Sequence, residues 1–244
     1  MKKLSFLCAA ALMFTASVSC LAQQGDDVTR DLQEMQERFE KSAPPEMLQA
    51  GRDANDELQR SGILEKALNV GASMPAFSLE DAYGKTVSSS DLLNKGPIVL
   101  VFYRGAWCPY CNLYLRGLQK HLDEITSRGA NLVAVSVEPP DRSLSVLTKN
   151  KLEYTVLSDP GLKLARQFRI VYTVPGELDK VMTDRGLDLS KYNGTGKPEL
   201  PLGATYVVGK DGKIEYAFLE TDYKKRAAPS EIIAVLDKLK APEK

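Results

Sequence analysis

Two cysteines separated by two residues, Cys108-Pro-Tyr-Cys111, are the residues of this chain best suited to chemistry. The reactive form of a cysteine is the thiolate, and a free thiol with a pKa of about 8.5 is mostly protonated at neutral pH. A helix start supplies what a thiolate needs, namely unpaired backbone N–H groups and the positive end of the helix dipole. Two intervening residues let the sulfurs meet across the first turn. Pro109 has no N–H to lose there and fits a first-turn position. The pattern Trp107-Cys108-Pro109-Tyr110-Cys111, after an apolar run and before helical spacing, therefore reads as thiol redox chemistry.

Two other uses of the pair fit poorly. A structural zinc site needs four ligands. Outside the first 22 residues the chain has only these two cysteines and a single histidine, so no metal or cofactor is expected. A disulfide that closes so short a loop constrains the unfolded chain little. Around the pair, Arg104 lies on the approach and is expected to bring positive charge, and Trp107 to pack against the pair, both as substrate-positioning candidates. Arg116 is expected to be solvated or paired on its own helix, and His121 to be an ordinary helix residue. The run Lys224-Lys225-Arg226 reads as a solvated loop.

The elements that must hold these residues follow from periodicity. Ile98–Tyr103 is a continuous apolar run, expected as a strand buried on both faces. Cys111 to about Ser127 repeats Leu115, Leu118, Leu122 and Ile125 on one face, as a helix would, with Gly129 ending it. Ala76–Leu79, Leu132–Val137 and Thr155–Leu157 read as further strands. Ser90 is expected to cap a short helix at Leu92-Leu93, and Asp141 one at 143–150. A helix after Asp159-Pro160-Gly161 is expected to end near Phe168. Residues 175–201, with Pro175, Pro198, Pro201 and the turn Asn193-Gly194, interrupt the pattern. They are expected to be an insertion with one short helix near 177–185. Ala204–Val208 and Ile214–Leu219 flank Lys210-Asp-Gly-Lys213 as a hairpin. Pro229 opens a closing helix. The order predicts an α/β fold with a central mixed sheet and helices on both faces.

Residues 26–70 carry thin apolar faces, with Leu32, Met35 and Phe39 at helical spacing and Pro44-Pro45 as a break. They are expected to form an N-terminal helical extension, residues 23–70, that packs on the core at 71–244 or on a partner. Ahead of it, Met1-Lys2-Lys3 and the apolar stretch Leu4–Val18, followed by Cys20-Leu21-Ala22, resemble a signal peptide over residues 1–22. Export to the periplasm is expected, with lipid anchoring through Cys20 as the alternative. Later segments are too polar to span a membrane. The 244-residue chain is 43% hydrophobic and 26% charged, with 32 basic against 32 acidic residues. That balance points away from nucleic acid as a partner.

From about Ala72 to Leu239 the chain resembles the peroxiredoxin-like branch of the alkyl hydroperoxide reductase and thiol-specific antioxidant family. The likeness rests on Val101–Cys111, Leu132–Val137, Leu157–Gly161 and Ala204–Val208, which occur in the family's order. It implies a thioredoxin-like fold and thiol redox chemistry. It also implies a hydroperoxide substrate, an external dithiol protein as reductant and the possibility of an oligomer. The family's attacking cysteine falls on Cys111, but its Thr position falls on Cys108, its Pro on Arg104 and its later Arg on Gly203. Thioredoxins, by contrast, would attack with Cys108. Three readings stay open. The first is a peroxidase with Cys111 attacking and Cys108 resolving. The second is a disulfide oxidoreductase with Cys108 attacking. The third is a binding module whose partner surface is residues 23–70.

Overall fold

The computed structural model describes residues 26–240 apart from Gly194. The expected signal peptide at residues 1–22 lies outside the described residues, as does Gly194 of the expected turn. The chain begins with α1 (Asp26–Ser42), α2 (Pro45–Arg60) and α3 (Ile63–Lys66), followed by β1 (Ser78–Asp81), β2 (Thr86–Ser88), α4 (Ser89–Lys95) and β3 (Ile98–Phe102). Next come α5 (Pro109–Lys120), α6 (Leu122–Thr126), β4 (Asn131–Ser136), α7 (Pro140–Asn150), β5 (Thr155–Ser158) and α8 (Lys163–Gln167). The last part holds β6 (Val171–Thr173), α9 (Gly176–Asp184), α10 (Leu189–Tyr192), β7 (Glu199–Pro201), β8 (Thr205–Val208), β9 (Ile214–Phe218) and α11 (Pro229–Lys240).

Seven strands form one mixed sheet in the order β2-β1-β5-β4-β3-β8-β9. β3 pairs parallel to β4 and antiparallel to β8. Side chains alternate across a strand, so a wholly apolar strand must feed two cores. β3 does so. Val99 and Val101 join Leu115, Leu118, Ile125, Ile232 and Leu236 on one face. Ile98, Leu100 and Phe102 join Leu157, Phe168 and Tyr206 on the other. Phe168 packs edge-on against Phe102 and tilted against Tyr206, at ring separations of 5.0 and 4.8 Å. Helices cover both faces, in agreement with the periodicity.

Several local expectations need correction. The helix after the cysteines is not continuous to Ser127. It breaks at His121, whose φ of −101° and ψ of 9° leave the helical region, and restarts as α6. Ser88, not Ser90, caps α4, its Oγ accepting from the N–H of Asp91 at 3.1 Å. α7 starts at Pro140 behind Pro139, without a side-chain cap, so Asp141 sits inside its first turn. The first strand is Ser78–Asp81 rather than 76–79.

The segment at 175–201 holds two helices, α9 and α10, where one was expected. Its base is closed by the β6–β7 ribbon, with Val171 opposite Pro201. Val174, Met182, Leu189 and Leu200 give it a small core, and Trp107 packs against that core from the main domain.

α1 lies directly on α5. Val28 and Leu32 are buried there. A Cβ at Gly117 would stand 2.6 Å from a methyl of Val28, so only glycine lets the two helices approach this closely. α2 contacts α9, where Arg185 and Glu46 pair at 2.9 Å. Both added parts thus converge over the start of α5.

Candidate active site

β3 delivers the chain into a short loop, Tyr103 to Trp107, that ends at Cys108, the residue preceding α5. Gly105 turns this loop with φ +141°, a conformation that side chains other than glycine's rarely adopt. The loop is pinned from several directions. Ala106 N–H donates to Oε2 of the buried Glu138 at 2.8 Å, and Cys108 N–H to Gly105 O at 3.1 Å. Asn112, one residue after the second cysteine, donates through Nδ2 to Ala106 O at 2.7 Å and Cys108 O at 3.0 Å. Asn150 on α7 then donates to Asn112 Oδ1 at 2.7 Å and accepts from Arg116 at 2.9 Å. Arg116 is therefore engaged with α7 rather than solvated or paired on its own helix. His121 bonds Glu124 at 2.7 Å at the helix break.

Cys108 and Cys111 are both unbridged and both 1% exposed. Two guanidinium groups are buried with them. Arg104 is 4% exposed, and its Cζ lies 4.7 Å from the Trp107 ring centroid and 4.1 Å from that of Tyr223. Arg226 is 8% exposed, and its Nη2 donates to Cys111 Sγ at 3.4 Å. Among the described residues neither arginine forms an ion pair with a carboxylate. A buried cation without a counter-charge is costly, by several kcal/mol in general. A thiolate at this pair would supply a counter-charge to both.

The surroundings divide the two sulfurs. Burial alone would raise the pKa of each. For Cys108 burial dominates, the hydrogen bond to Cys111 adds to it, and the thiol is pushed well up. For Cys111 burial is outweighed by the hydrogen bond from Cys108, the charges of Arg226 and Arg104, and the Arg104 N–H, so the pKa falls well below the ordinary thiol value. The favoured arrangement is a Cys111 thiolate that accepts a hydrogen bond from the Cys108 thiol.

A cavity of about 550 Å³ reaches the site. Phe39 and Met47 of the N-terminal helices, Leu178 and Met182 of α9, Trp107 and Cys108 are part of its wall, whereas Cys111 is not. Arg104 Nε, Trp107 Nε1 and Tyr110 Oη, on residues of the same wall, are buried without a hydrogen-bond partner. Buried polar groups are rarely left unpaired.

The model of the AhpC/TSA family matches residues 70–217. The chain belongs to that family. Among AhpC/TSA relatives, it is 29% identical over 142 residues to a chloroplastic peroxiredoxin Q of Populus jackii, covering 57% of this chain and 66% of that protein, just under two thirds of its length. It is 28% identical over 152 residues to peroxiredoxin Bcp of Escherichia coli K12, covering 62% and 85%. The fold matches that of peroxidoxin BcpB from Mycobacterium tuberculosis, with a TM-score of 0.56 at 23% identity over 70% of this chain and 97% of that one. α1 to α3 precede the family-matched segment, and Arg226 follows it.

All four residues singled out beforehand, Cys108, Cys111, Arg104 and Trp107, meet at this site. Arg226, Asn112, Glu138 and Tyr223 belong to it as well and were missed. Arg226 carried one signal, the small Gly203 where the family resemblance places an arginine.

Proposed function

We propose that this chain is a thiol-dependent peroxidase in which Cys111 attacks a hydroperoxide and Cys108 resolves the product. The observation that carries this reading is the pair of buried arginines without carboxylate partners beside Cys111. The Cys111 thiolate attacks the terminal oxygen of ROOH. An S–O bond forms, the O–O bond breaks, and the RO⁻ released takes the proton of the Cys108 thiol to leave as ROH. Cys111 is then a sulfenic acid and Cys108 a thiolate. Cys108 attacks the Cys111 sulfur, an S–S bond forms, and hydroxide leaves and is protonated to water. An external dithiol reduces the disulfide by attacking Cys108, the sulfur on the cavity wall, and takes up the two sulfur oxidation equivalents as its own disulfide. The unpaired Arg104 Nε, Trp107 Nε1 and Tyr110 Oη are donors for the oxygens of a bound hydroperoxide.

The test is stopped-flow oxidation of the reduced protein by hydrogen peroxide and by an organic hydroperoxide, followed by Trp107 fluorescence. Fast oxidation is expected. Because the Cys111 pKa is lowered, thiolate is present above that pKa and is lost only as pH falls through it. The rate should therefore stay nearly flat down to about pH 6, below the ordinary thiol pKa of about 8.5. A rate no greater than that of a free thiol, falling steadily below pH 8, would defeat the peroxidase reading.

One observation favours the disulfide oxidoreductase as a second reading: the cavity wall holds Cys108 and not Cys111. On that reading Cys108 attacks a partner's disulfide and Cys111 releases it. The compartment is also our proposal. Periplasmic export with removal of residues 1–22 predicts a mature protein beginning at Gln23, to be read by N-terminal sequencing of the native protein. An intact start at Met1 would end the export argument. Among the described residues no helix is long and apolar enough to cross a membrane.

A further inference from the structure

Arg226 enters the site from the loop between β9 and α11, 115 positions after Cys111 and outside the family-matched segment. We propose that Arg226 is a catalytic residue that holds Cys111 as a thiolate, and that Gly203 is small because this guanidinium occupies the space of its side chain. The inference builds on the peroxidase reading and names a residue that the comparisons leave unassigned.

Three observations carry it. A Cβ at position 203 would lie 2.7 Å from Arg226 Cζ and 2.8 Å from Nη1, closer than atoms of two side chains can stand. Gly203 does not have a left-handed φ, so its backbone suits any residue and only the space demands glycine. Second, the guanidinium is oriented. Nη1 donates to the carbonyl oxygens of Tyr223 and Lys225, and Cζ stands 5.9 Å from the ring centroid of Tyr114. That leaves Nη2 pointing at the sulfur at 3.4 Å. Third, the group is buried and lacks an ion-paired carboxylate among the described residues. An arginine fixed in this way serves no surface role.

The charge acts at two moments. Before reaction it favours the thiolate. As the S–O bond forms and the O–O bond breaks, negative charge moves from sulfur to the departing oxygen. A donor already oriented at that point stabilises the developing charge without reorganising. The charged and titratable groups that face Cys111 are Cys108 on its own turn, Arg104 and Tyr103 from the β3 end, Glu138 after β4, Tyr172 on β6, and Arg226.

The experiment is alkylation of Cys111 by iodoacetamide across pH, in full-length protein carrying Cys108→Ser so that one sulfur reports. Arg226→Gln removes the charge and leaves a shorter polar side chain. It is expected to slow alkylation at pH 6.5 by about tenfold or more and to move the midpoint of the profile upward. Arg226→Lys should recover part of the rate. Gly203→Arg combined with Arg226→Gln supplies a guanidinium from the neighbouring position and should recover part of it. Should Arg226→Gln fail to fold, Gly203→Val displaces the native guanidinium and is expected to give the same upward shift. A profile in Arg226→Gln or Gly203→Val that overlays the parent at every pH would overturn the proposal. Alkylation needs no peroxide. A shifted profile in a protein that does not reduce hydroperoxides would sink the peroxidase reading alone, whereas an unshifted one in an active peroxidase would sink this proposal alone.

Discussion

Cys111→Ser is expected to abolish rapid oxidation by hydroperoxide, lowering the rate by at least about a thousandfold. Cys108→Ser, whose hydroxyl keeps a donor beside Cys111, is expected to slow the first oxidation but leave it well above that of a free thiol, and to stop the chemistry at a sulfenic acid on Cys111. The asymmetry follows from the surroundings of two equally buried sulfurs. Cys111 has the Arg226 Nη2 at 3.4 Å and receives a hydrogen bond from its partner thiol. For Cys108, burial and the coupling to Cys111 outweigh the charges of Arg104 and Arg226, and the thiol is pushed well up. Mass spectrometry of the Cys108→Ser protein after one turnover, with a sulfenic-acid trap, reads the outcome directly. The opposite pattern would transfer the attack to Cys108 and favour the disulfide oxidoreductase. In that pattern Cys111→Ser traps a mixed disulfide on Cys108 while peroxide reacts slowly with every variant.

Gly105→Ala is expected to destabilise the protein by about 2–3 kcal/mol, a fall in Tm of roughly 5–10 °C for a chain of this size. Two costs add at this position. The φ of +141° is strained for any residue with a side chain. An added Cβ would also stand 2.7 Å from Trp107 Nε1 and 3.3 Å from the Glu138 carboxyl carbon. The loop cannot relax freely, because Ala106 is held by Glu138 and Asn112 at 2.8 and 2.7 Å. Calorimetry measures the loss. An unchanged Tm would show that the loop relaxes without cost and that its geometry is not imposed by Gly105.

The parts of this site that are consecutive were legible in the sequence. Arg104, Trp107, Cys108 and Cys111 lie within eight positions between a strand and a helix, so local periodicity alone placed them together. The central sheet was legible for the same reason, because Ile98–Phe102 and Leu132–Val135 have no other way to bury their side chains. What escaped depended on contacts made across the chain. Lys224-Lys225-Arg226 reads as a solvated charge run, since nothing local distinguishes Lys224, paired with Asp222 at 2.9 Å, from Arg226 in the core. The break at His121 was hidden because Leu122 and Ile125 continue the apolar spacing. The β6–β7 ribbon was hidden because three-residue strands leave no periodic trace, and one of them contains Pro201.

The 115-position separation between Cys111 and Arg226 also has a meaning for the young protein. A chain made from its N-terminus exposes the cysteine long before the arginine exists. Until the β8–β9 hairpin has formed and the loop after it has closed over Gly203, the sulfur is in ordinary surroundings and is mostly protonated at neutral pH. On the proposed role of Arg226, reactivity is withheld from the nascent and incompletely folded chain, where a stray oxidation would lock a wrong state. It is armed by the same closure that completes the core.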